Sequence, residues 1–357
     1  MSYSPIDNPE LYFQTKLYTG NGSTNHAITL DGDENMQPDW SWIKQRSGAE
    51  WHILIDSLRG VTKYINSNDT NAERTNSNFI ESFDSNGFTL GSANDTNQNS
   101  QTYASWNWKA GSSASNNTDG QLTSSVSVNQ DAGFSVLTYT GVGDGTSGTA
   151  RTVGHGLGVT PAVLIIKNRA DSTQWNVYHH KNTSAPETEI IYLNLTNATA
   201  DDNGFWNDTA PTSSVFTVGG DNGVNGNSDS MVCYAFTEKK GYSKFGSYTG
   251  NGNADGSFIY TGFKPAFVMS KCTSHAGEDW NINDDKRPGY NVIQNALLPN
   301  SSAAEVTASF QAIDTLSNGF KWRGTNDRVN ASGKTYIYMA FAESPFVGSN
   351  FVPNNAR

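Results

Sequence analysis

Hydrophobic positions along this chain fall at strand spacings. Two runs, Pro161-Ala-Val-Leu-Ile-Ile-Lys167 and Pro265-Ala-Phe-Val-Met-Ser-Lys271, are almost wholly apolar and of strand length, the pattern of a strand buried on both faces. Further apolar runs centre on Ala104 (TYASW), Ala235 (CYAFTE) and Ala340 (YMAFAE). Segments rich in Asn, Gly, Ser and Thr separate them and read as turns. Trp106 and Trp108 alternate with Asn107 and so share one face of their strand. No stretch reads as a long helix; Thr70–Phe83 fits one short helix or a long loop. The pattern predicts an all-β protein.

Five landmarks recur three times in the same order. The turn YTGxG begins at Tyr18, Tyr139 and Tyr248. Pro and Lys six residues apart follow, as Pro38/Lys44, Pro161/Lys167 and Pro265/Lys271, and then a Trp, at Trp51, Trp175 and Trp280. The tripeptide NGF comes next, ending at Phe88, Phe205 and Phe320, before the Ala-centred closing run. Glycines in YTGxG suit a sharp turn, Pro suits a strand start, and Asn-Gly suits a hairpin whose Phe returns inward. Repeat starts lie 121 and 109 residues apart, too far for a solenoid or propeller blade. Each unit is long enough to bury a core. The expected organisation is an arm at 1–13, β-sandwich repeats at 14–110, 131–240 and 241–343, and a tail at 344–357. The Gly/Ser/Asn-rich segment 111–130 reads as a linker. The fold class is all-β, with three tandem sandwiches of jelly-roll or concanavalin type.

Composition narrows the function. The chain has 357 residues, 40 of them Asn, with only 16% charged residues and a net charge of −11. No basic run is present, which argues against a nucleic-acid partner. No apolar run reaches the ~18 residues of a membrane helix, so no membrane insertion is expected. The start, MSYSPIDNPELYF, lacks the basic and apolar regions of a signal peptide. Cys233 and Cys272 read as free thiols rather than a disulfide framework, as in a protein made in a reducing compartment.

Catalytic constellations are scarce. The six His residues, at 26, 52, 155, 179, 180 and 275, show no metal-ligand spacing. Asp31–Asn35 (DGDEN) alternates oxygen ligands, yet Met36 and Trp42 stand where a calcium loop needs Gly and Glu. Asp56/Arg59 and Asp284/Arg287 share a D-x-x-R spacing that reads as a turn closed by an ion pair. By count from the Trp, Asp56, His180 and Asp285 are equivalent. No catalytic residue, metal or cofactor is therefore assigned. Trp51, Trp175 and Trp280 read as core. Trp106 and Trp108, with Trp206 and Trp322 after NGF, are the candidates for a glycan or partner surface.

The order YTGNGS, QPDWSWIKQRSGAEWHILIDSLRG, SFDSNGFTLGS, TYASWNWKAG across Leu17–Gly111 resembles a repeat family of marine bacteriophage virion proteins. That family is described as tail-fibre-like or lectin-like, with a concanavalin-type sandwich. The later repeats keep the landmarks but lose most of the SLRG and LGS wording. The resemblance implies a virion-surface protein, assembled in the host cytoplasm and bound to other virion proteins, the capsid or tail, as a homo-oligomer on the particle. It further implies a role in host-glycan attachment. The alternatives are a soluble carbohydrate-binding lectin module and a glycan-cleaving enzyme, the latter needing two carboxylates across a cleft. The resemblance carries no catalytic or binding residues with it.

Overall fold

A computed structural model describes residues 4–349 and 353. The chain is all-β, and its sheet ladders are antiparallel. One strand order occurs three times. In the first unit Phe13–Thr19 pairs with the closing strand Thr102–Trp108, which pairs with Trp40–Gln45 and then Ile53–Asp56. Phe134–Thr140, Ser230–Phe236, Val163–Asn168 and Asn176–His179 repeat that order in the second unit. Ser243–Thr249, Thr335–Pro345, Phe263–Cys272 and Asn281–Asp284 repeat it in the third. Each unit adds a small sheet. It comprises His26–Thr29, Gly87–Leu90 and Ile80–Asp84 in the first, Arg151–Gly154 and Val215–Val218 in the second, and Phe258–Tyr260, Gly319–Trp322 and Ile313–Leu316 in the third.

Strand periodicity explains why the apolar runs are continuous. Side chains alternate between faces, and here both faces are buried. On the closing strands, Met231, Cys233 and Ala235 enter the second unit's own core, while Val232, Tyr234 and Phe236 enter a different one. The third unit divides Tyr338, Ala340 and Ala342 from Ile337, Met339 and Phe341 in the same way. The second set from every unit meets in one cluster with Trp40, Trp42, Trp106 and Trp108. The cores within single units are thus only part of the packing. The wide aromatic face of each large sheet is covered by the other two units.

Hydrogen bonds close this arrangement into rings. His52 Nε2 donates to Leu298 O (2.9 Å), Trp280 Nε1 to Tyr192 O (2.9 Å) and Trp175 Nε1 to Asn66 O (2.7 Å). Unit one thereby holds unit three, unit three holds unit two, and unit two holds unit one. A backbone ring runs beside it: Glu73 N to Arg169 O, Thr199 N to Thr273 O and Glu305 N to Arg46 O, at 2.9, 2.9 and 2.8 Å. The amides of His52, Trp175 and Trp280 each donate to an Asn side chain, Asn68, Asn194 and Asn300. His52, and not Trp51, therefore occupies the place of Trp175 and Trp280; Trp51 is 41% exposed. Strand register likewise makes His179 and Asp284 the equivalents of Asp56, since they pair with Val163, Phe267 and Trp40. Counting from the Trp was off by one residue.

The recurrent turn has a clear cause. The Tyr18, Tyr139 and Tyr248 hydroxyls donate to Thr96 O, Val224 O and Val329 O. Next to each acceptor, a buried Asn (Asn97, Asn225, Asn330) takes the turn's second amide on its Oδ1. The first glycine of each turn lies so close that an added Cβ would sit 2.3–2.4 Å from a backbone oxygen, of Gln98, Gly226 or Ala331. Gly22 and Gly252 also carry positive φ, 70° and 67°, whereas Gly143 does not.

Other expectations change. Segment 111–130 contains the strands Ser115–Asn117 and Ser124–Asn129, which extend the second unit's sheet. Thr70–Phe83 holds strand residues Arg74–Thr75 and the start of Ile80–Asp84, with no helix. In the first and third units the two-residue hairpin turns are Ser85–Asn86 and Ser317–Asn318, so the Asn of NGF ends the turn and its Gly already begins the returning strand, instead of Asn-Gly forming the turn. In the second unit Asn203–Trp206 is a single helical turn capped by Asp202. Phe88, Phe205 and Phe320 are buried as expected, and both cysteines are free and buried. Within 1–13, Ser4 and Ile6 are buried, with the Ser4 hydroxyl bonded to Lys240 O. The last strand runs past 343 to Pro345.

Candidate functional site

The four Trp side chains expected at a surface are all buried. Trp106 and Trp108 lie in the common core, and Trp206 and Trp322 in the cores of their units. Trp106 Nε1 donates to Asp284 Oδ2 (3.0 Å), and Trp206 Nε1 to Glu189 O (2.9 Å). None of them can reach a ligand.

The repeated charged residues are internal ties. Lys44 and Lys167 each donate to the carbonyls one and four residues on, and Lys271 to Glu278 O and Thr196 O. Burial without a carboxylate partner lowers all three to about 8. Asp56–Arg59 and Asp284–Arg287 are fully buried pairs (2.5 and 2.7 Å). Glu73 accepts from Arg59 and, bidentately, from Arg169; Glu305 accepts from Arg287 and, bidentately, from Arg46. Two seams thus carry the same Arg–Glu–Arg tie. The seam between the second and third units has Thr199 and Thr273 there instead, and His179 Nε2 on Tyr338 O (3.2 Å). Among the described residues, no three His, Cys, Asp or Glu side chains converge as a metal cage.

Exposed aromatic side chains gather on the third unit, two of them on the outer face of its small sheet. Among the described residues, Trp51, Phe258, Tyr260, Tyr290 and Phe310 are the exposed large aromatics, and all but Trp51 belong to that unit. Strand alternation places Ile259 inward and Phe258 and Tyr260 outward, 46% and 61% exposed. Phe258 pairs with Lys321 and Tyr260 with Gly319. A Cβ on Gly319 would lie 2.9 Å from Cε2 and Cζ of Phe258, so the ring rests over the bare glycine. Asp255 pairs with Lys321 (2.5 Å) and Arg323 (3.3 Å), and Arg323 with Asp314 (3.5 Å). Along the sheet's far strand, Ile293 bridges Ile313 and the Asn291 side chain bonds Thr315. That segment carries the exposed Tyr290 and Val292.

The same positions are bland elsewhere. Ile28 and Val153 are the buried counterparts of Ile259, flanked by Ala27 and Thr29 in the first unit and by Thr152 and Gly154 in the second. The exposed aromatics are therefore no requirement of the fold. A flat ring bordered by donors and acceptors in equal number suits a ligand with an apolar face and a polar rim.

The whole assembly corresponds to one sequence family. A family model described as a domain of unknown function, DUF7483, matches residues 8–345. The chain belongs to that family. The DUF7483 match runs through all three units without a break, as the shared core does. No curated protein matches the chain.

Sequence reasoning missed this face because it followed tryptophan. The available signal was SFIYTGF, which aligns with HAITL of the first unit and RTVGH of the second. It replaces small residues by aromatics on alternate positions.

Proposed function

We propose that this protein is a non-enzymatic surface protein of a phage particle, a head decoration or short tail fibre, that helps attach the particle to host glycan. In this reading the three units are β-sandwich repeats, sealed by a common core into one stiff body. The observation that carries the attachment role is the aromatic outer face of the third unit, present where its two sister units have small residues. Sugar rings have an apolar face and a hydroxyl rim, which matches Phe258 and Tyr260 beside the Lys321, Arg323, Asp255 and Asp314 charges. The virion assignment rests on the resemblance across Leu17–Gly111.

Electron microscopy of particles with and without the protein tests the reading. Density lost from the capsid supports a decoration, and density lost from the tail, with reduced adsorption, supports a fibre. Unchanged density would remove the virion role and leave a free lectin.

A further inference from the structure

We propose that the aromatic face of the third unit selects uncharged sugars, and that Asp255 is the residue that excludes charged ones. This rests on the attachment reading above and names its ligand class.

The charges arrive with the rings. Register sets Ile28, Val153 and Ile259 opposite Phe88, Phe216 and Phe320. The position after that Phe is Thr89 in the first unit, Thr217 in the second and Lys321 in the third. Two residues further on stand Gly91, Gly219 and Arg323. Of the three units, the third alone sets cations at these positions. On the sheet, Lys321 lies between its pairing neighbours Phe258 and Asp314.

Those cations are not free to hold an anion. Asp255 Oδ1 touches both Lys321 Nζ (2.5 Å) and Arg323 Nη1 (3.3 Å), and Asp314 Oδ2 stands 3.5 Å from Arg323 Nε. Two cations face two carboxylates, so the rim is neutral. A carboxylate, sulfate or phosphate that reached either cation would meet Asp255 there, because one oxygen serves both. The hydrogen bond from Lys321 holds Asp255 below the ordinary carboxylate range, so it stays ionised. Two further bases of the unit also stand beside carboxylates. Arg328 pairs with Asp279 (2.8 Å), and Lys286 lines a cleft with Asp285, Glu343 and Glu10.

The balance of the whole unit agrees. Residues 241–345 hold nine Lys or Arg and nine Asp or Glu, so the chain's net charge of −11 lies outside them. The acidic remainder repels anions at a distance. An uncharged sugar meets neither obstacle. Its hydroxyls both donate and accept, so they bond to the Lys321–Asp255 rim without parting the pair. Its apolar face lies on Phe258 or Tyr260.

The test puts the full chain on an array that pairs neutral oligosaccharides with their sulfated and sialylated derivatives, at about 50 and about 500 mM NaCl. Wild type should bind neutral members, with little change between the two salts. Asp255→Asn should raise the charged-to-neutral ratio, by up to roughly fivefold at the lower salt, and the higher salt should cancel that gain. Asp255→Glu, which keeps the charge, should retain the wild-type ratio. A wild type that prefers sulfated or sialylated members would overturn the selection and leave the attachment reading standing. An unchanged ratio in Asp255→Asn would overturn the role of Asp255. Binding to no member of the array would remove the attachment reading, and this inference with it.

Discussion

Arg169 of the second unit clasps Glu73 of the first with two hydrogen bonds, 2.8 and 2.9 Å long, while Arg59 holds the same carboxylate at 3.1 Å. Arg46, Glu305 and Arg287 repeat the clasp between the first and third units. Glu73→Ala leaves Arg59, which is fully buried, short of a carboxylate. The expected loss is ~3 kcal/mol, against ~1 kcal/mol for the more exposed Arg169→Ala. Urea denaturation of the two variants checks the order.

Acid acts on the seams in sequence. Burial holds His179 down to about 3, so its folded value lies below its unfolded one. Its neutral form is the stabilised form. That contribution is complete above about pH 6.5 and declines as pH falls toward 3. Glu305 is held down to about 2 by Arg46 and Arg287, despite burial, and its contribution is lost only between about pH 4.5 and 2. Burial depresses His52 in the same direction, and that ring donates to Leu298 O between the first and third units. The seam between the first and second units, clasped through Glu73, therefore opens last. Hydrogen exchange at the Thr199 amide should rise by pH 5, ahead of the Glu73 amide, and His179→Gln should remove that lead.

The first glycine of each YTGxG turn has no space for a side chain. Gly20→Ala, Gly141→Ala and Gly250→Ala each drive a Cβ against backbone, at an expected cost of ~1–3 kcal/mol. Gly145→Ala, with nothing within 4 Å, costs less than the crowded sites despite its φ of 82°. Thermal melts of the four variants decide this.

Much of this fold could be read directly, and the failures have physical reasons. The strands Val163–Asn168 and Phe263–Cys272 were legible because both faces are buried, which makes their runs apolar throughout. What covers the second face was not legible. Trp40 stacks on Tyr234 at 4.2 Å between units, a contact that no local period encodes. The His52 place was misread because Trp51 stands beside it, and sequence distance to Lys44 cannot tell neighbours apart on a turn. For the surface, residue type misled: Trp206 and Trp322 are large enough to fill unit cores, whereas Phe258 and Tyr260 are turned outward by the parity of Ile259.

That parity separates stability from binding. Trp206→Ala should cost ~3–5 kcal/mol, as a buried Trp does. Tyr260→Ala should stay within ~0.5 kcal/mol of wild type, as an exposed substitution does. Calorimetry of the pair measures the difference.

The most direct measurement compares host-cell adsorption and glycan-array binding of Phe258→Ala/Tyr260→Ala with those of a first-unit control, Ala27→Ser/Thr29→Ala. Loss of both activities in the third-unit variant, with an unchanged melting temperature and a fully active control, is the predicted result. A third-unit variant that adsorbs and binds as wild type does would contradict the assignment of this face as the attachment surface.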